Sequence, residues 1–423
     1  MDKKRLNLLP GSKGWMDKYF ELVEKREIPL QIMHPQGLST DAYVHAVLGK
    51  TGINFGFPSS LLFAREVDET RWTTEETLKL LLFEAHLFIY LVHTSTKPFN
   101  SEEFKNVLLE FYKDHKPGSL SRMLKYVIKE SKSDRLEAIL ANRVDIKLRL
   151  LDSMSWINYV HNVFVYLDVI LFHEELSGRR GFSTKEYDEL AMNALNAISL
   201  ASFSDGVIEE KERSMFKVFL ASANISESNR SEAEKRFDRG SSFEDFTDLL
   251  EKSELAKRFL LDISCLVIFS NHDAVSEERV FLTELSKHLG FGENELNEAL
   301  VLTEQFILNN HEKTTFLSDS SSMEKLYSSL SKRWIKILGR NKDKLATELK
   351  ESKELVALIR KSATTELTKE EKEAVKQQFK DIVKSMPSLA IFMLPGGAVL
   401  LPLVLKIIPD LVPSAFRDNK LDE

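Results

Sequence analysis

Residues 385–405, SMPSLAIFMLPGGAVLLPLVL, carry no charged side chain. At about 1.5 Å of rise per helical residue the run reaches about 31 Å, close to the hydrocarbon thickness of a bilayer. Lys384 and Lys406 close it at its two ends, where long cationic side chains can snorkel to opposite headgroup layers. Pro387, Pro395, Gly396, Gly397 and Pro402 interrupt it, and each proline removes a backbone donor that hydrocarbon cannot replace. The run is therefore either a kinked, protein-supported transmembrane span or a buried C-terminal helix pair broken at Pro395-Gly396-Gly397. Its charge-free length favours the span.

Working outward, Thr368-x-x-Glu371 caps a helix in which Lys372, Lys376, Lys380 and Lys384 recur every fourth residue, opposite Val375, Phe379, Ile382 and Val383. The lysine stripe is either a solvated face or a headgroup contact beside the span. Residues 323–384 hold 16 Lys+Arg against 10 Asp+Glu, a balance of +6, whereas only Lys406, Arg417 and Lys420 follow the run. The positive-inside rule then puts the N-terminal side in the cytoplasm. Upstream, 318–322 read as a polar linker, and Met323–Leu338 and Lys342–Lys361 as two basic helices forming a hairpin around Gly339.

Leu367-Thr368-x-x-Glu371, Asp381-Ile382, Pro387, Phe392, Pro395, Leu401-Pro402, Lys406, Pro409 and Pro413-Ser414-x-Phe416 together resemble the membrane segment of the Letm-like family, over roughly 355–416. The prolines and the Pro413-Ser414-x-Phe416 ending carry the resemblance. It implies membrane association, cation/proton exchange in mitochondrial members, ribosome binding in members with that domain, and a link to biofilm in bacterial ones. In ribosome-binding members a long helical region follows the membrane segment, whereas seven residues follow Phe416 here. Ribosome binding is thus implied by the family rather than by the residues present.

The rest of the 423-residue chain is 43% hydrophobic, with 16 glycines and 11 prolines, which suits two or three mostly helical domains. We divide it into an N-terminal helical domain of unassigned role (1–182), an acidic duplicated helical domain (183–317) and the basic Letm-like segment (318–423). The first 15 residues are basic but break at Pro10-Gly11 without the apolar core of a signal peptide. The single cysteine, Cys265, sits among Leu261, Ile263, Leu266 and Val267 and reads as a buried thiol.

In the N-terminal part Thr73-x-x-Glu76 and Asn100-x-x-Glu103 open helices, the first with Leu78, Leu81, Leu82, Ala85 and Phe88 on one face. His86 and His93, with Glu84 nearby, lack the His-Glu-x-x-His spacing of a zinc site, as does His173-Glu174, and read as core or surface histidines. Gly49-Lys50-Thr51 has no matching upstream glycine and is not a phosphate loop. Trp156–Phe172 reads as a central helix of a water-facing domain, because Asn158, His161, Asn162 and Asp168 would be costly in lipid. Residues 177–181 end it.

Between 183 and 317 there are 14 Lys+Arg against 26 Asp+Glu, a balance of −12. A helix through Leu190, Ala194, Leu195, Ile198 and Ala201 leads into Phe203-Ser204-Asp205-Gly206. Sixty-six residues on, Phe269-Ser270-Asn271 and Glu278-Arg279 repeat Phe203-Ser204-Asp205 and Glu212-Arg213. The pattern resembles the TerB-like (tellurite-resistance) family, an all-helical fold of two related halves associated with divalent cations. Asp205, Glu209, Glu212, Asp273 and Glu278 are the candidate cation ligands, oxygen donors suited to a hard cation. Acidic residues at a helix start also stabilise its macrodipole with no ligand bound, and Asn271-His272 replaces Asp-Gly in the second copy.

No nucleophile with a base, nucleotide loop or zinc spacing emerges, so an enzyme is not expected. The expected protein is all-α, with most of its mass in the cytoplasm and one C-terminal pass through the inner membrane. Its partners would be the bilayer and a protein or the ribosome, with homo-oligomerisation needed for any ion exchange, and no DNA.

Overall fold

A computed structural model describes residues 6–32, 37–95, 97–113, 131–146, 162–179, 184–204, 206, 208, 210–247, 253–269 and 276–310. Beyond these it describes 332, 333, 335, 339, 345–347, 349, 352–362, 365, 367, 368, 370, 371, 374, 375, 378 and 382. Among the described residues every extended regular element is helical, and the backbone pairs as β only at the isolated Leu6–Val67 bridge. The chain forms two compact units, Met1–Ile32 with Val47–Asp319, and Met33–Ala46 with Ser320–Glu423.

The first unit begins with α1 (Trp15–Glu24); α2 (Thr40–Leu48) has its first seven residues in the second unit. The central helix is α3 (Thr74–His93), buried on nearly every face from Leu78 to Tyr90. It starts where the sequence places it. Thr73 Oγ1 accepts from the Glu76 N–H at 3.1 Å and the Glu76 carboxylate accepts from the Thr73 N–H at 2.8 Å, removing two orphan donors. Around it pack α4 (Ser101–Lys113), α5 (Lys132–Val144) and α6 (Val165–Leu176). Asn100 caps α4 by accepting from the Glu102 and Glu103 N–H groups at 2.9 and 3.0 Å. Trp15, Tyr19 and Phe20 of α1 meet Phe83 edge to face at centroid distances of 5.0–5.7 Å, a favoured ring geometry.

The helix expected over 156–172 is not continuous: 162–164 are not helical and α6 starts at Val165, while 156–161 lie outside the described residues. Asn162 is the cause: its Oδ1 accepts from the Phe164 N–H at 3.1 Å and its amide donates to the Arg143 carbonyl at 3.2 Å. Such local bonds compete with helix. Beside it, Gly56 has φ 68°, and a Cβ there would lie 2.4 Å from the Val163 nitrogen, so only glycine fits.

The remaining helices of this unit come as two sets of three: α7 (Thr184–Ser202), α8 (Glu210–Ser222) and α9 (Glu227–Arg239), then α10 (Glu254–Phe269), α11 (Ser276–His288) and α12 (Glu293–Asn310). The second helices start 66 residues apart, at Glu210 and Ser276, and so do the third, at Glu227 and Glu293. The two lead helices, α7 and α10, make the most extensive helix–helix contact among the described residues.

In the second unit α13 (Lys353–Ser362) presents Leu355 and Ile359 as its buried positions. The helix expected over 342–361 is interrupted at Ser352, whose carbonyl accepts from the Val356 N–H at 3.0 Å and so opens α13. Serine favours that entry position over a helix interior.

Candidate functional site

The acidic positions come first. Glu212 and Glu278 occupy the third position of α8 and α11, and both are buried, at 4% and 6% exposure, with interactions of their own. Equivalent sequence positions thus hold equivalent places, each in a helix first turn where a carboxylate complements the macrodipole. Asp205, Glu209 and Asp273 lie outside the described residues. Among the described residues no three His, Cys, Asp or Glu side chains are grouped to hold a metal ion.

The histidines and carboxylates of the N-terminal half serve other ends. Glu84, fully buried in α3, accepts from the backbone N–H groups of Leu62, Phe63 and Ala64 at 2.6, 3.2 and 2.8 Å and from the Tyr19 hydroxyl at 2.8 Å. Burial raises its pKa and these bonds act against the rise. They tie a turn and α1 to the central helix. His86 Nδ1 lies 2.7 Å from the Leu82 carbonyl and therefore carries the proton; burial lowers its pKa to about 4. At neutral pH it is an uncharged core residue.

Two buried charged side chains that the sequence did not single out as a pair meet in the core. Arg143 grips Asp168 in bidentate fashion, Nε to Oδ2 at 2.6 Å and Nη2 to Oδ1 at 2.5 Å, with Tyr112 donating to the same carboxylate at 3.0 Å. The side chains are 2% and 0% exposed. The Tyr187 ring lies over the guanidinium, 5.0 Å from centroid to Cζ, and burial pushes the Tyr187 pKa up to about 12. The one available signal was Asp168, a charge inside an apolar stretch.

A second chain of contacts links α3, α6 and residue 253. His93 Nε2 lies 3.0 Å from His173 Nδ1, and His173 Nε2 lies 3.1 Å from Arg179 Nη2. A guanidinium only donates, so His173 accepts at Nε2 and donates from Nδ1 to His93. The Glu174 carboxylate accepts from the Ser253 hydroxyl at 2.8 Å and lies 3.3 Å from Arg179 Nε. Two hydrogen-bonded groups, His93–His173–Arg179 and Glu174–Ser253, thus meet at the Arg179–Glu174 ion pair.

In the described part of the C-terminal segment α13 pairs with helical positions between Glu370 and Ile382. Thr368 Oγ1 accepts from the Glu371 N–H at 3.2 Å while the Glu371 carboxylate accepts from the Thr368 N–H at 3.0 Å. This is the capping box read from the sequence. Glu370, Glu371, Ala374, Val375, Gln378 and Ile382 are helical. Lys361, near the end of α13, pairs with Glu371 at 2.6 Å. At the other end Ser352 donates to Gln378 at 2.7 Å and Gln378 donates to Glu354 at 2.7 Å. Pairing of that sense sets α13 antiparallel to the following helix, with Leu355, Ile359, Leu367, Val375 and Ile382 buried. Lys372, Lys376, Lys380, Lys384 and Lys406, and Pro395, Pro402, Pro409, Pro413, Ser414 and Phe416, lie outside the described residues, as does the 385–405 run. Among the described residues no helix is long and apolar enough to cross a membrane.

The LETM1-like, RBD family model matches residues 367–423. The LETM1 domain-containing protein YLH47, mitochondrial, of Saccharomyces cerevisiae is 36% identical over 83 residues, covering 18% of this chain and 18% of that protein. The chain thus spans less than a fifth of the length of the curated relative it matches. No solved structure matches the chain. From the Thr368–Glu371 cap onward, the C-terminal segment is LETM1-like.

Proposed function

We propose that this chain is a non-enzymatic, membrane-associated Letm-like protein. Its C-terminal segment attaches a large helical body, containing an acidic duplicated module of TerB-like type, to the inner membrane by one pass through 385–405. The observation that carries the reading is the LETM1-like match over 367–423, which encloses the charge-free run and its flanking lysines. The acidic module would take a divalent cation near Asp205, Glu209, Glu212, Asp273 and Glu278.

The test is fractionation of cells expressing the full chain or a version ending at Lys384, with the membranes washed in carbonate. Retention of the full chain alone in the pellet is expected. Release of both versions defeats the membrane reading and leaves 385–405 as a buried helix pair.

Ribosome binding is the second reading, because the matched family model is the one described as RBD, and the balance of +6 over 323–384 suits RNA phosphates. Cosedimentation with ribosomes that falls steeply as salt rises supports it. Cosedimentation that is absent at low salt rejects it.

A further inference from the structure

A cavity of about 180 Å³ lies within the first unit, bounded by the C-terminal end of α5, by Tyr187 of α7, by the turn from α8 to α9 and by Arg230 of α9. Its wall is mostly polar, and of its lining residues Arg143, Asn162 and Tyr187 take part in contacts described above. The floor is rigid: Arg143 is held by Asp168 and covered by Tyr187, itself 2% exposed. Because Asp168 already answers the Arg143 charge, the floor adds little net charge.

The rim differs. Arg230 donates from Nη1 to the Leu220 carbonyl at 3.1 Å, which orients the side chain, and lies 3.9 Å at Nε from the exposed Glu227; among the described residues Nη2 has no hydrogen-bond acceptor. Asp145, exposed, offers a carboxylate, and Asn142 and Asn224 offer carboxamides. At about 30 Å³ per water the space holds about six waters, or a solute of similar bulk. A guanidinium, a carboxylate and two carboxamides around so small a volume complement a molecule carrying both charges. The cavity joins α5 to the first helical triplet.

We propose that the cavity binds a small zwitterion of the free amino-acid type, its carboxylate on Arg230, its ammonium on Asp145, and Asn142 and Asn224 bonding the remaining polar atoms. The site is separate from the C-terminal segment and does not depend on membrane attachment.

Isothermal titration calorimetry of the full chain tests it, with each common amino acid as probe and acetate, methylammonium and orthophosphate as single-sign controls. At least one small amino acid should bind one to one, with the controls about tenfold or more weaker, the loss expected for one charged hydrogen bond. Asp145→Asn and Arg230→Gln should each weaken binding about tenfold. Should Arg230→Gln fail to fold, the exposed pair Asp145→Asn and Asn224→Ala decides. Silence with every amino acid, equal binding of acetate or phosphate, or undiminished binding by Asp145→Asn overturns the proposal.

Discussion

Asp168→Asn should be among the most damaging single-atom-scale changes in the chain. The carboxylate takes at least three bonds, from Arg143 Nε, Arg143 Nη2 and the Tyr112 hydroxyl. Asparagine keeps one acceptor oxygen, and its NH2 group turns donors toward donors. The Arg143 side chain, 2% exposed, would keep its charge without a counterion. Breaking such a buried pair from one side costs about 3–5 kcal/mol, a large share of a typical stability of about 5–15 kcal/mol. Arg143→Met, which strands the carboxylate instead, should cost a similar amount. The double variant Arg143→Met/Asp168→Leu removes both charges and should sit close to the wild type, because two apolar side chains can fill the space without stranding a charge. Urea unfolding of the wild type, Arg143→Met, Asp168→Leu and the double variant, followed by circular dichroism, gives the cycle, with a coupling of several kcal/mol expected. A loss below about 1 kcal/mol for Asp168→Asn, or a double variant equal to the sum of the singles, refutes the argument.

His86 supplies a pH signature. Its folded pKa is lowered to about 4 from an ordinary 6.5, chiefly by burial. As pH falls from 6.5 toward 4 the unfolded chain takes up a proton that the native state refuses, so stability declines, by up to about 3 kcal/mol from this one group. His86→Leu should flatten that part of the stability–pH curve, and parallel curves would refute the assignment. Gly56→Ala and Gly178→Ala both force alanine to φ 68°, but only at Gly56 does the Cβ meet backbone, at 2.4 Å, while Gly178 faces open space. Thermal melts should show about 1–2 kcal/mol lost at Gly178 and distinctly more at Gly56; equal losses would mean that the close approach is not there. Glu84→Gln points an amide NH2 at backbone donors and should cost about 2–4 kcal/mol, with faster amide exchange at Leu62 to Ala64; unchanged exchange would sink the claim that this carboxylate holds the turn.

What could be read beforehand was what local chemistry decides. The Thr73, Asn100 and Thr368 caps are set within four residues, and all three are present. The apolar face through Leu78, Leu81, Leu82, Ala85 and Phe88 is buried as its spacing requires. What could not be read depended on partners distant in sequence. Asn162 stands outside the helix expected over 156–172 because it reaches the Arg143 carbonyl, and no local propensity predicts that bond. Ser352 divides a run whose lysines and leucines otherwise continue the helical pattern. The acidic candidates are read as oxygen donors around two turns, and their local pattern does not tell that Glu212 and Glu278 are buried. The cavity is assembled from four separate stretches, so nothing in any one of them announces it.

The pairing of α7 with α10 has a consequence for how such a module can exist. The buried face of α7 is rich in alanine, at 191, 194, 197 and 201, and the Ser264 hydroxyl of α10 reaches the Ala197 carbonyl at 3.5 Å. A single triplet standing alone would present this close-fitting apolar face to water and would gain by clasping a twin, as isologous dimers do. Joining both triplets in one polypeptide replaces that bimolecular encounter with an intramolecular one, at an effective concentration on the order of millimolar. The pairing then no longer depends on how much protein the cell makes. Either half is also free to change its turn residues without its twin changing too, and the turns have diverged, with Asp205-Gly206 in one copy and Asn271-His272 in the other.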